Sequence, residues 1–451
     1  MSSQHKCENA LAAELRQRLA DRTARIGIVG LGYVGLPLTV AFSEAGFEVV
    51  GFDVDPAKVE LLNRGESYIR HVPSDSIGKI AKRGRFRATA DYEALRDVDA
   101  VLICVPTPLT RQREPDLQFV TATASAVAPH LRPGRLVVLE STTWPGTTDE
   151  VLRPILEEGG LKSGVDLFVA YSPEREDPGN RDHRTATIPK VVGGDGDLAR
   201  SLAEALYGQI VDEIVPVSST ATAEAVKLTE NIFRAVNIAL VNELKLVYER
   251  MGIDVWEVIE AAKSKPFGYM PFYPGPGLGG HCIPIDPFYL TWKAREYGLS
   301  TRFVELAGQI NTEMPRHVVG RVAEALDAGA GKGLNGARIL ILGVAYKKNV
   351  DDTRGSPAFV IIEMLEARGA TVAFHDPYVA EIPPTRDHAG LAGRRSVDLS
   401  AETLAEFDAA LIVTDHDVLD YAALVASSRL VIDTRNVTRN VAAHRNRIVK
   451  A

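Results

Sequence analysis

The sequence predicts an α/β protein with two doubly wound parallel sheets joined by a long central helix. Three observations support this fold class. A glycine-rich turn lies between a strand pattern and a helix pattern near the N-terminus, a long run of helical periodicity covers 219–251, and strand and helix patterns alternate again from Ala337 onward. At 451 residues the chain is too long for one ordinary core. We expect three domains: 1–215, 216–330 and 331–451.

Composition and charge exclude several classes of protein. A hydrophobic content of 45% and a charged content of 24% are typical of a soluble globular protein, and a formal net charge of −8 argues against nonspecific nucleic-acid binding. No uncharged apolar run is long enough to span a membrane, and the N-terminus lacks the apolar core of a signal peptide. Three cysteines are too few for a disulfide framework, so we expect a cytoplasmic protein.

The first glycine-rich turn has the context of a dinucleotide site. A β-rich run at 25–29 is followed at once by Gly30, Gly32 and Gly35 and then by a helix pattern that stops near Gly46. These glycines allow a tight turn, close approach of a pyrophosphate to the backbone, and packing of the helix on the strand. A tight turn without a ligand is the alternative, and the surrounding strand and helix make it the weaker one.

The next strand pattern, 48–52, ends in Asp53, which lies 23 positions beyond Gly30. An acid at this place in a Rossmann-like half accepts hydrogen bonds from the ribose hydroxyls and favours NAD over NADP. Because Lys58 and Arg64 are basic residues that follow Asp53 in the sequence, NADP remains an alternative cofactor.

Further strands are predicted at 100–105 and 135–139. The loops after them, Pro106–Pro108 and Glu140–Thr143, lie where a doubly wound sheet places its ligands. Cys104 is interpreted as a small core residue of its strand, and Cys7 as a bystander in the N-terminal tail.

The middle of the chain contains a charged loop and a long helix. The loop, 172–180, follows a strand at 169–171, and a strand at 190–194 resembles the end of the first domain. The helix predicted at 219–251 carries Glu224, Lys227 and Asn231 on one face. A solvated polar stripe explains that spacing equally well. The helix is also apolar enough to form a dimer interface.

The segment 272–286 contains four glycines and three prolines, which rules out regular structure and suits close contact with a ligand. Cys282 stands near its end, immediately before apolar residues that would begin a helix, with His281 and Asp286 as titratable neighbours. Helix-terminal amides and a nearby cation would lower the pKa of such a thiol. A buried, inert cysteine is an equally good interpretation of this loop alone.

From Ala337 the α/β pattern repeats, with strands predicted at 339–343, 371–374, 409–413 and 430–433 and a helix at 357–368. No second Gly-x-Gly-x-x-Gly follows Gly343, which argues against a second NAD site. The loop 344–357 instead carries basic residues, which suit a pyrophosphate, although a solvated charged loop is at least as good an interpretation.

These motifs, in this order, resemble the UDP-glucose/GDP-mannose dehydrogenase family over essentially the whole chain. The resemblance implies that Cys282 is a nucleophile in a Gly-Gly-x-Cys-x-x-x-Asp loop with Asp286 assisting the thiol and lysine network. It also implies that Lys227 and Asn231 stabilise an oxyanion, and that Glu174 and Thr142 position or activate water. The third domain would bind UDP through Lys347, Arg354 and Arg435, with Gly355 replacing an acidic residue often found after that arginine.

The resemblance and the motifs together give two sets of predicted contacts. Those to the cofactor are Gly30, Gly32, Tyr33, Val34, Gly35, Asp53, Lys58, Thr107, Thr142 and Arg354. Those to the substrate are Glu174, Arg175, Lys227, Asn231, Tyr273, Gly275, Gly279, His281, Lys347 and Arg435. No metal is expected.

His281 and Ile285 depart from the serine and lysine that UDP-glucose enzymes carry in this loop. They make the chain most similar to bacterial members that oxidise UDP-N-acetylglucosamine for O-antigen or capsule synthesis. The implied reaction is a four-electron, NAD-dependent oxidation of the C6 alcohol by a homodimer or higher oligomer. UDP-N-acetylmannosamine and UDP-glucose are alternative substrates. A two-electron β-hydroxyacid dehydrogenase and a nonenzymatic NAD- or UDP-sugar-binding regulator are alternatives of other kinds.

Overall fold

The structure, a computed structural model, describes residues 9–110, 112–175, 185–280, 283–385 and 387–451. The predictions made for Cys7, His281 and Cys282 therefore fall outside the described residues. The chain divides into two compact units. The first contains the described residues up to Glu230 together with Trp292–Leu299, and the second contains Asn231–Thr291 and Ser300–Ala451. Within the described ranges, no helix has the length and apolarity needed to cross a bilayer.

The first unit is built on a sheet with the strand order β3-β2-β1-β4-β5-β6-β7-β8. Its strands are β1 (Arg25–Val29), β2 (Glu48–Phe52), β3 (Phe86–Thr89), β4 (Ala100–Ile103), β5 (Arg135–Leu139), β6 (Leu167–Tyr171), β7 (Lys190–Gly194) and β8 (Ile214–Pro216). All neighbouring strands are parallel except β6 and β7, which are antiparallel. The predicted parallel, doubly wound sheet is confirmed. It also continues one strand beyond β7, which the sequence pattern had placed at the end of the domain.

Helices cover both faces of this sheet. They are α1 (Ala10–Ala20), α2 (Gly35–Ala45), α3 (Pro56–Asn63), α4 (Ser74–Lys82), α5 (Gln118–Val127), α6 (Arg153–Glu157) and α7 (Gly196–Tyr207). Because successive strand residues point to opposite faces, Ile26 and Ile28 of β1 enter one core while Val29 enters the other. This two-sided burial explains why the strands appear in the sequence as continuous apolar runs.

A single long helix, α8 (Thr220–Arg250), begins in the first unit and continues into the second, and it matches the helix predicted at 219–251. It is followed by α9 (Val255–Lys263), whose first turn is capped because Asp254 Oδ1 accepts a hydrogen bond from Trp256 N at 3.0 Å. Next come α10 (Asp286–Ala294) and α11 (Arg302–Ala330), the latter with Pro315 inside it.

The sheet of the second unit has the order β10-β9-β11-β12-β13, with every pair parallel. Its strands are β9 (Arg338–Leu342), β10 (Thr371–His375), β11 (Ala409–Ile412), β12 (Val431–Asp433) and β13 (Ile448–Lys450). The helices of this region are α12 (Pro357–Ala367), α13 (Ala401–Ala405) and α14 (Tyr421–Ser427). The second Rossmann-like half predicted from Ala337 onward is therefore confirmed.

Candidate active site

The turn between β1 and α2 has room only for glycine at two positions. Gly30 has a φ of +92°, and a Cβ added there would lie 2.6 Å from the Cys104 carbonyl oxygen. A Cβ at Gly35 would lie 2.0 Å from the carbonyl oxygen of Gly30, closer than any real side chain comes. A Cβ at Gly32 would meet nothing within 4 Å. The turn is thus closed on its protein side and open at Gly32, as close approach of a ligand to backbone requires.

The start of α2 and the end of β2 fit a dinucleotide. Val34 precedes α2 and provides no side-chain cap, so no side chain of the N-cap competes for the first helical amides. Asp53 is buried, and its two carboxylate oxygens accept hydrogen bonds from Leu31 N at 3.1 Å and Asp55 N at 3.0 Å. A carboxylate has acceptor capacity beyond these two bonds, which ribose hydroxyls could use. Lys58 Nζ lies 3.9 Å from Asp53 Oδ2, so its charge is partly offset there.

The other predicted cofactor residues of the first unit lie in loops at the carboxyl ends of the strands. Tyr33 stacks on His71, with the ring centroids 5.5 Å apart. Thr107 and Thr142 are half-buried in the loops after β4 and β5. Cys104, directly after β4, is buried, and burial raises the pKa of its thiol, which is the environment expected of a core cysteine.

The polar face of α8 is buried, so the interpretation of a solvated stripe is wrong. Glu224, Lys227 and Asn231 are 0%, 8% and 4% exposed. Burial of polar groups at this level requires hydrogen-bond partners, and each of the three has one.

Glu224 fastens the beginning of α8 to the loop after β5. Its carboxylate accepts hydrogen bonds from Gly146 N at 2.5 Å, Thr148 N at 2.9 Å and Thr148 Oγ1 at 2.7 Å, with Thr143 Oγ1 at 3.4 Å. Burial nevertheless raises the pKa of Glu224 to about 7. This anchor fixes both the loop that contains Thr142 and the helix turn that carries Lys227.

Lys227 and Glu174, which the resemblance assigns to different roles, meet in the first unit. The Lys227 ammonium donates a hydrogen bond to the backbone carbonyl of Glu174, in the segment that follows β6. Arg175 is held beside it because its guanidinium donates to Pro189 O at 2.5 Å and to Glu230 Oε1 at 2.6 Å. The main chain at Glu174 is thus fixed from both sides.

Asn231 and Asp286 meet in the second unit. Asn231 Nδ2 donates to Asp286 Oδ2 at 2.6 Å, and both side chains are buried. Asp286 is the first residue of α10, so the helix begins four residues after Cys282 rather than immediately after it. The Asp286 carboxylate is therefore fixed against the helix face that Asn231 occupies.

The glycine-rich loop packs closely on other predicted substrate residues of the second unit. Gly275 N donates to Asn242 Oδ1 at 3.0 Å, and a Cβ added at Gly275 would lie 2.8 Å from Arg435 Nη1. A Cβ added at Gly279 would lie 2.8 Å from Tyr346 Cβ. Backbone without side chains is needed at both places for the loop to approach the segments that follow β9 and β12 so closely.

Two predicted substrate residues have well-defined partners here. Tyr273 stacks on Trp256 with an interplanar angle of 15° and donates from its hydroxyl to Glu260 Oε1 at 2.6 Å. Arg435 Nε donates to Val413 O at 2.9 Å and lies 3.8 Å from an Asp415 carboxylate oxygen.

The basic segment 344–357 is not a solvated loop throughout. Asp352, Thr353 and Ser356 are buried, Lys347 is half-buried and Arg354 is exposed. Arg354 forms a forked ion pair with Asp352, with Nε–Oδ1 and Nη2–Oδ2 distances of 2.9 and 2.6 Å.

One group near Glu174 was missed by sequence analysis. Lys190, Glu140 and Tyr207 form a buried network in the first unit. A signal did exist, because a lysine at the start of an otherwise apolar, buried strand is unusual unless the lysine is paired.

Comparison with known proteins identifies the family. Models of the UDP-glucose/GDP-mannose dehydrogenase family match three parts of the chain: the NAD binding domain at 24–211, the central domain at 221–313 and the UDP binding domain at 340–440. The NAD binding model and the glycine turn together identify NAD as the cofactor.

Relatives match over most of their length. UDP-N-acetyl-D-mannosamine dehydrogenase of Pyrococcus horikoshii is 36% identical, covering 92% of this chain and 96% of the relative. UDP-N-acetyl-D-glucosamine 6-dehydrogenase of Pseudomonas aeruginosa is 35% identical, covering 79% and 83%. A solved structure of UDP-D-ManNAc dehydrogenase from Pyrococcus horikoshii has a TM-score of 0.85 at 34% identity, covering 94% of this chain and 98% of that one. The chain belongs to the UDP-glucose/GDP-mannose dehydrogenase family.

Proposed function

We propose that the chain oxidises the C6 alcohol of UDP-N-acetylglucosamine to the carboxylate, using NAD, in the synthesis of a surface polysaccharide such as O-antigen or capsule. The observation that carries this proposal is the buried polar face of α8, where Lys227 is hydrogen-bonded to the backbone of Glu174. A simple structural helix would gain more stability from apolar residues at these buried positions.

UDP-N-acetylmannosamine is the second candidate substrate. Relatives named for the mannosamine and the glucosamine sugar are 36% and 35% identical to this chain, so overall identity favours neither. Both candidates carry an N-acetyl group, and the His281 and Ile285 positions support that class over UDP-glucose.

The proposed chemistry proceeds on Cys282, whose role rests on the sequence motif. NAD, when bound, accepts one hydride in each of two oxidation steps. Loss of a hydride and a proton from the alcohol gives an aldehyde, and the Cys282 thiolate adds to its carbon to form a thiohemiacetal. Loss of the second hydride gives a thioester. Water then attacks the thioester carbon, the C–S bond breaks, and the thiolate is restored.

The residues around this chemistry have distinct roles in the proposal. The Lys227 ammonium stabilises negative charge on the reacting oxygen, and Asn231 adds a hydrogen-bond donor. Glu174 accepts a proton from the attacking water, with Thr142 helping to position that water. Asp286 supports Asn231, to which it is hydrogen-bonded, and assists the thiol.

The test is an NADH absorbance assay with UDP-N-acetylglucosamine, UDP-N-acetylmannosamine and UDP-glucose in parallel. We expect two NADH per sugar and the highest kcat/KM with UDP-N-acetylglucosamine. Cys282→Ser and Cys282→Ala should abolish steady acid formation. Normal turnover in these variants would instead indicate a two-electron dehydrogenase. Binding of NAD and UDP-sugars without NADH formation by the wild type would indicate a regulator.

We also propose that the chain forms a homodimer through α8. Phe233, Leu240 and Val247 repeat every seven residues along the helix and are 48%, 49% and 48% exposed. Such a row of large apolar side chains on one helix favours association. Leu240→Asp should convert the dimer to a monomer, as measured by light scattering. Val165→Asp, at an exposed apolar residue outside α8, should not. A wild-type monomer would contradict the proposal.

A further inference from the structure

Lys190, the first residue of β7, forms a buried ion pair. Its Nζ donates to Glu140 Oε2 at 2.7 Å, and the two side chains are 8% and 0% exposed. The Tyr207 hydroxyl donates to the other oxygen of Glu140. The Lys190 ammonium also lies 5.1 Å from the Tyr207 ring centroid. The ammonium of Lys190 is therefore held by residues of two other elements, because Glu140 follows β5 and Tyr207 ends α7.

The same ammonium reaches the segment that contains the proposed water-side base. Lys190 Nζ donates to the carbonyl oxygen of Pro173 at 3.2 Å and lies 3.9 Å from Glu174 Oε2. Since Lys227 binds the backbone carbonyl of Glu174, two ammonium groups contact this short segment. One contacts its main chain, and the other lies beside the carboxylate.

The carboxylates in this network favour the charged form of Lys190. Burial alone would lower the pKa of Lys190, but the carboxylates of Glu140 and Glu174 outweigh that effect and raise it. A buried ion pair of this kind is weak support for stability, because well-packed apolar side chains would do as well or better. A lysine retained beside Glu174 thus points to a role at that carboxylate.

We propose that Lys190 is a positioning residue for the hydrolytic step, orienting the Glu174 carboxylate towards water, while Glu140 and Tyr207 fix Lys190. This inference rests on the proposed function. In the step, the water oxygen bonds to the thioester carbon and a water proton passes to the Glu174 carboxylate. The C–S bond breaks, and its electron pair returns to the Cys282 sulphur. No oxidant is consumed.

Removal of the Lys190 ammonium should slow the step that follows thioester formation. In the double variant Lys190→Met/Glu140→Gln, both charges of the buried pair are removed, so no unpaired charge remains inside. We expect a roughly 10- to 100-fold lower kcat with KM lowered in parallel, so that kcat/KM changes little, because Glu174 loses the cation that orients it. In Glu140→Gln alone, Lys190 loses one anchor but stays beside Glu174, so kcat should fall less.

The intermediate that accumulates in a variant shows which step of the reaction has been slowed. In the double variant the first turnover should still release two NADH per site, after which a thioester on Cys282 accumulates and is detected by intact-mass spectrometry after acid quench. Lys190→Arg, which keeps the positive charge, should restore much of the rate. Lys293→Met removes another buried, paired lysine of the first unit and should lead to no thioester accumulation.

An unchanged kcat in the double variant, or slowing without thioester accumulation, would overturn the role of Lys190. If the double variant does not fold, Glu140→Gln decides, since a purely structural pair predicts no thioester accumulation in that variant. Failure of the proposed function would look different, because the wild-type enzyme would then release no NADH with any UDP-sugar.

Discussion

The two Rossmann-like halves share a strand, a turn, a helix and a second strand that ends in an acid, yet their ligand-facing ends differ. In the first half α2 begins five residues after Gly30, and its N-cap offers no side-chain hydrogen bond. In the second half α12 begins fourteen residues after Gly343 and is capped by Ser356, whose hydroxyl accepts from Ala358 N at 3.3 Å. The uncapped turn leaves the first amides of α2 available to a phosphate, whereas the Ala358 amide at the start of α12 is already bonded to Ser356.

The acids that follow β2 and β10, Asp53 and Asp376, also differ in how many of their acceptor positions the protein uses. Asp53 accepts from two backbone amides, whereas Asp376 Oδ2 alone accepts from Val344 N at 2.7 Å, Ala345 N at 3.0 Å and His416 Nε2 at 3.1 Å. Because Asn349 N donates to His416 Nδ1, the proton of that ring is on Nε2. The Asp376 carboxylate therefore already accepts hydrogen bonds from groups of the protein itself. Strand order alone therefore does not make a dinucleotide site. A site also needs an acid with free hydrogen-bond acceptors, such as Asp53, and a helix start with free amides, such as that of α2.

The largest effect expected from this comparison is on stability. Asp376→Ala should lower the free energy of unfolding by about 3 to 5 kcal/mol, because buried amides and His416 lose their acceptor. Asp53→Ala should cost only about 1 kcal/mol of stability but should weaken NAD binding. Urea unfolding and NAD calorimetry on both variants test the contrast. Equal losses of stability would contradict it.

The contribution of Asp376 to the free energy of unfolding should depend on pH in a defined direction. Burial acts to raise the pKa of Asp376, but hydrogen bonds from His416 and backbone amides outweigh burial and lower it. A carboxyl with a lowered folded pKa stabilises the protein above its unfolded value and loses that contribution as pH falls. The difference in stability between wild type and Asp376→Ala should therefore be largest above about pH 4 and should narrow as pH falls below it.

A second contrast concerns buried lysines. Lys190 in the first unit has carboxylate and carbonyl acceptors, whereas the buried Nζ of Lys245 in the second has no hydrogen-bond partner among the described residues. Burial lowers the pKa of Lys245 to about 8; Glu249 opposes this shift, and Arg321 and Arg435 add to it. Lys245→Met should therefore raise the free energy of unfolding by about 3 kcal/mol at pH 7.

That gain should disappear at high pH. A lysine with a lowered folded pKa binds fewer protons in the folded state, so wild-type stability rises between about pH 8 and the unfolded value of about 10.5. Urea unfolding of wild type and Lys245→Met at pH 7 and pH 10.5 measures the difference. A constant gain across that range would show that packing, not charge, is responsible.

The smallest expected effect is at the open glycine. Gly32→Ala adds a Cβ that meets no protein atom, so stability should be unchanged, while NAD affinity should fall roughly tenfold as the methyl group meets the pyrophosphate. Gly320→Ala, in α11 and equally open, is the matched control and should not alter NAD affinity. Unchanged NAD affinity in Gly32→Ala would contradict the assignment of the turn.

Much of the fold follows from local pattern. The bounds of β2, β5 and β7 were predicted to the residue because apolar runs buried on both faces have sharp ends. The presence of α2 and its end near Gly46 follow from the pattern, although the helix begins at Gly35 itself rather than after it. The antiparallel β7 was not predictable, since strand direction depends on the path of the intervening chain.

The sequence supplies candidate residues for the site but not their environment. Glu224, Lys227 and Asn231 have the spacing of any polar helix stripe, and only the packing of α8 shows that they are buried. The contacts of Lys190 with Glu140 and of Tyr207 with Glu140 join residues 50 and 67 positions apart. No local periodicity encodes such separations, which explains why that network was missed.

The burial of Cys104 gives this protein an internal reporter. A thiol reacts with alkylating reagents as the thiolate, and burial of Cys104 raises its pKa while also shielding it. Iodoacetamide should therefore label Cys104 only when the sheet around it opens. Its rate of labelling, followed by peptide mass spectrometry, would give the opening frequency of the NAD-binding half without any engineered probe.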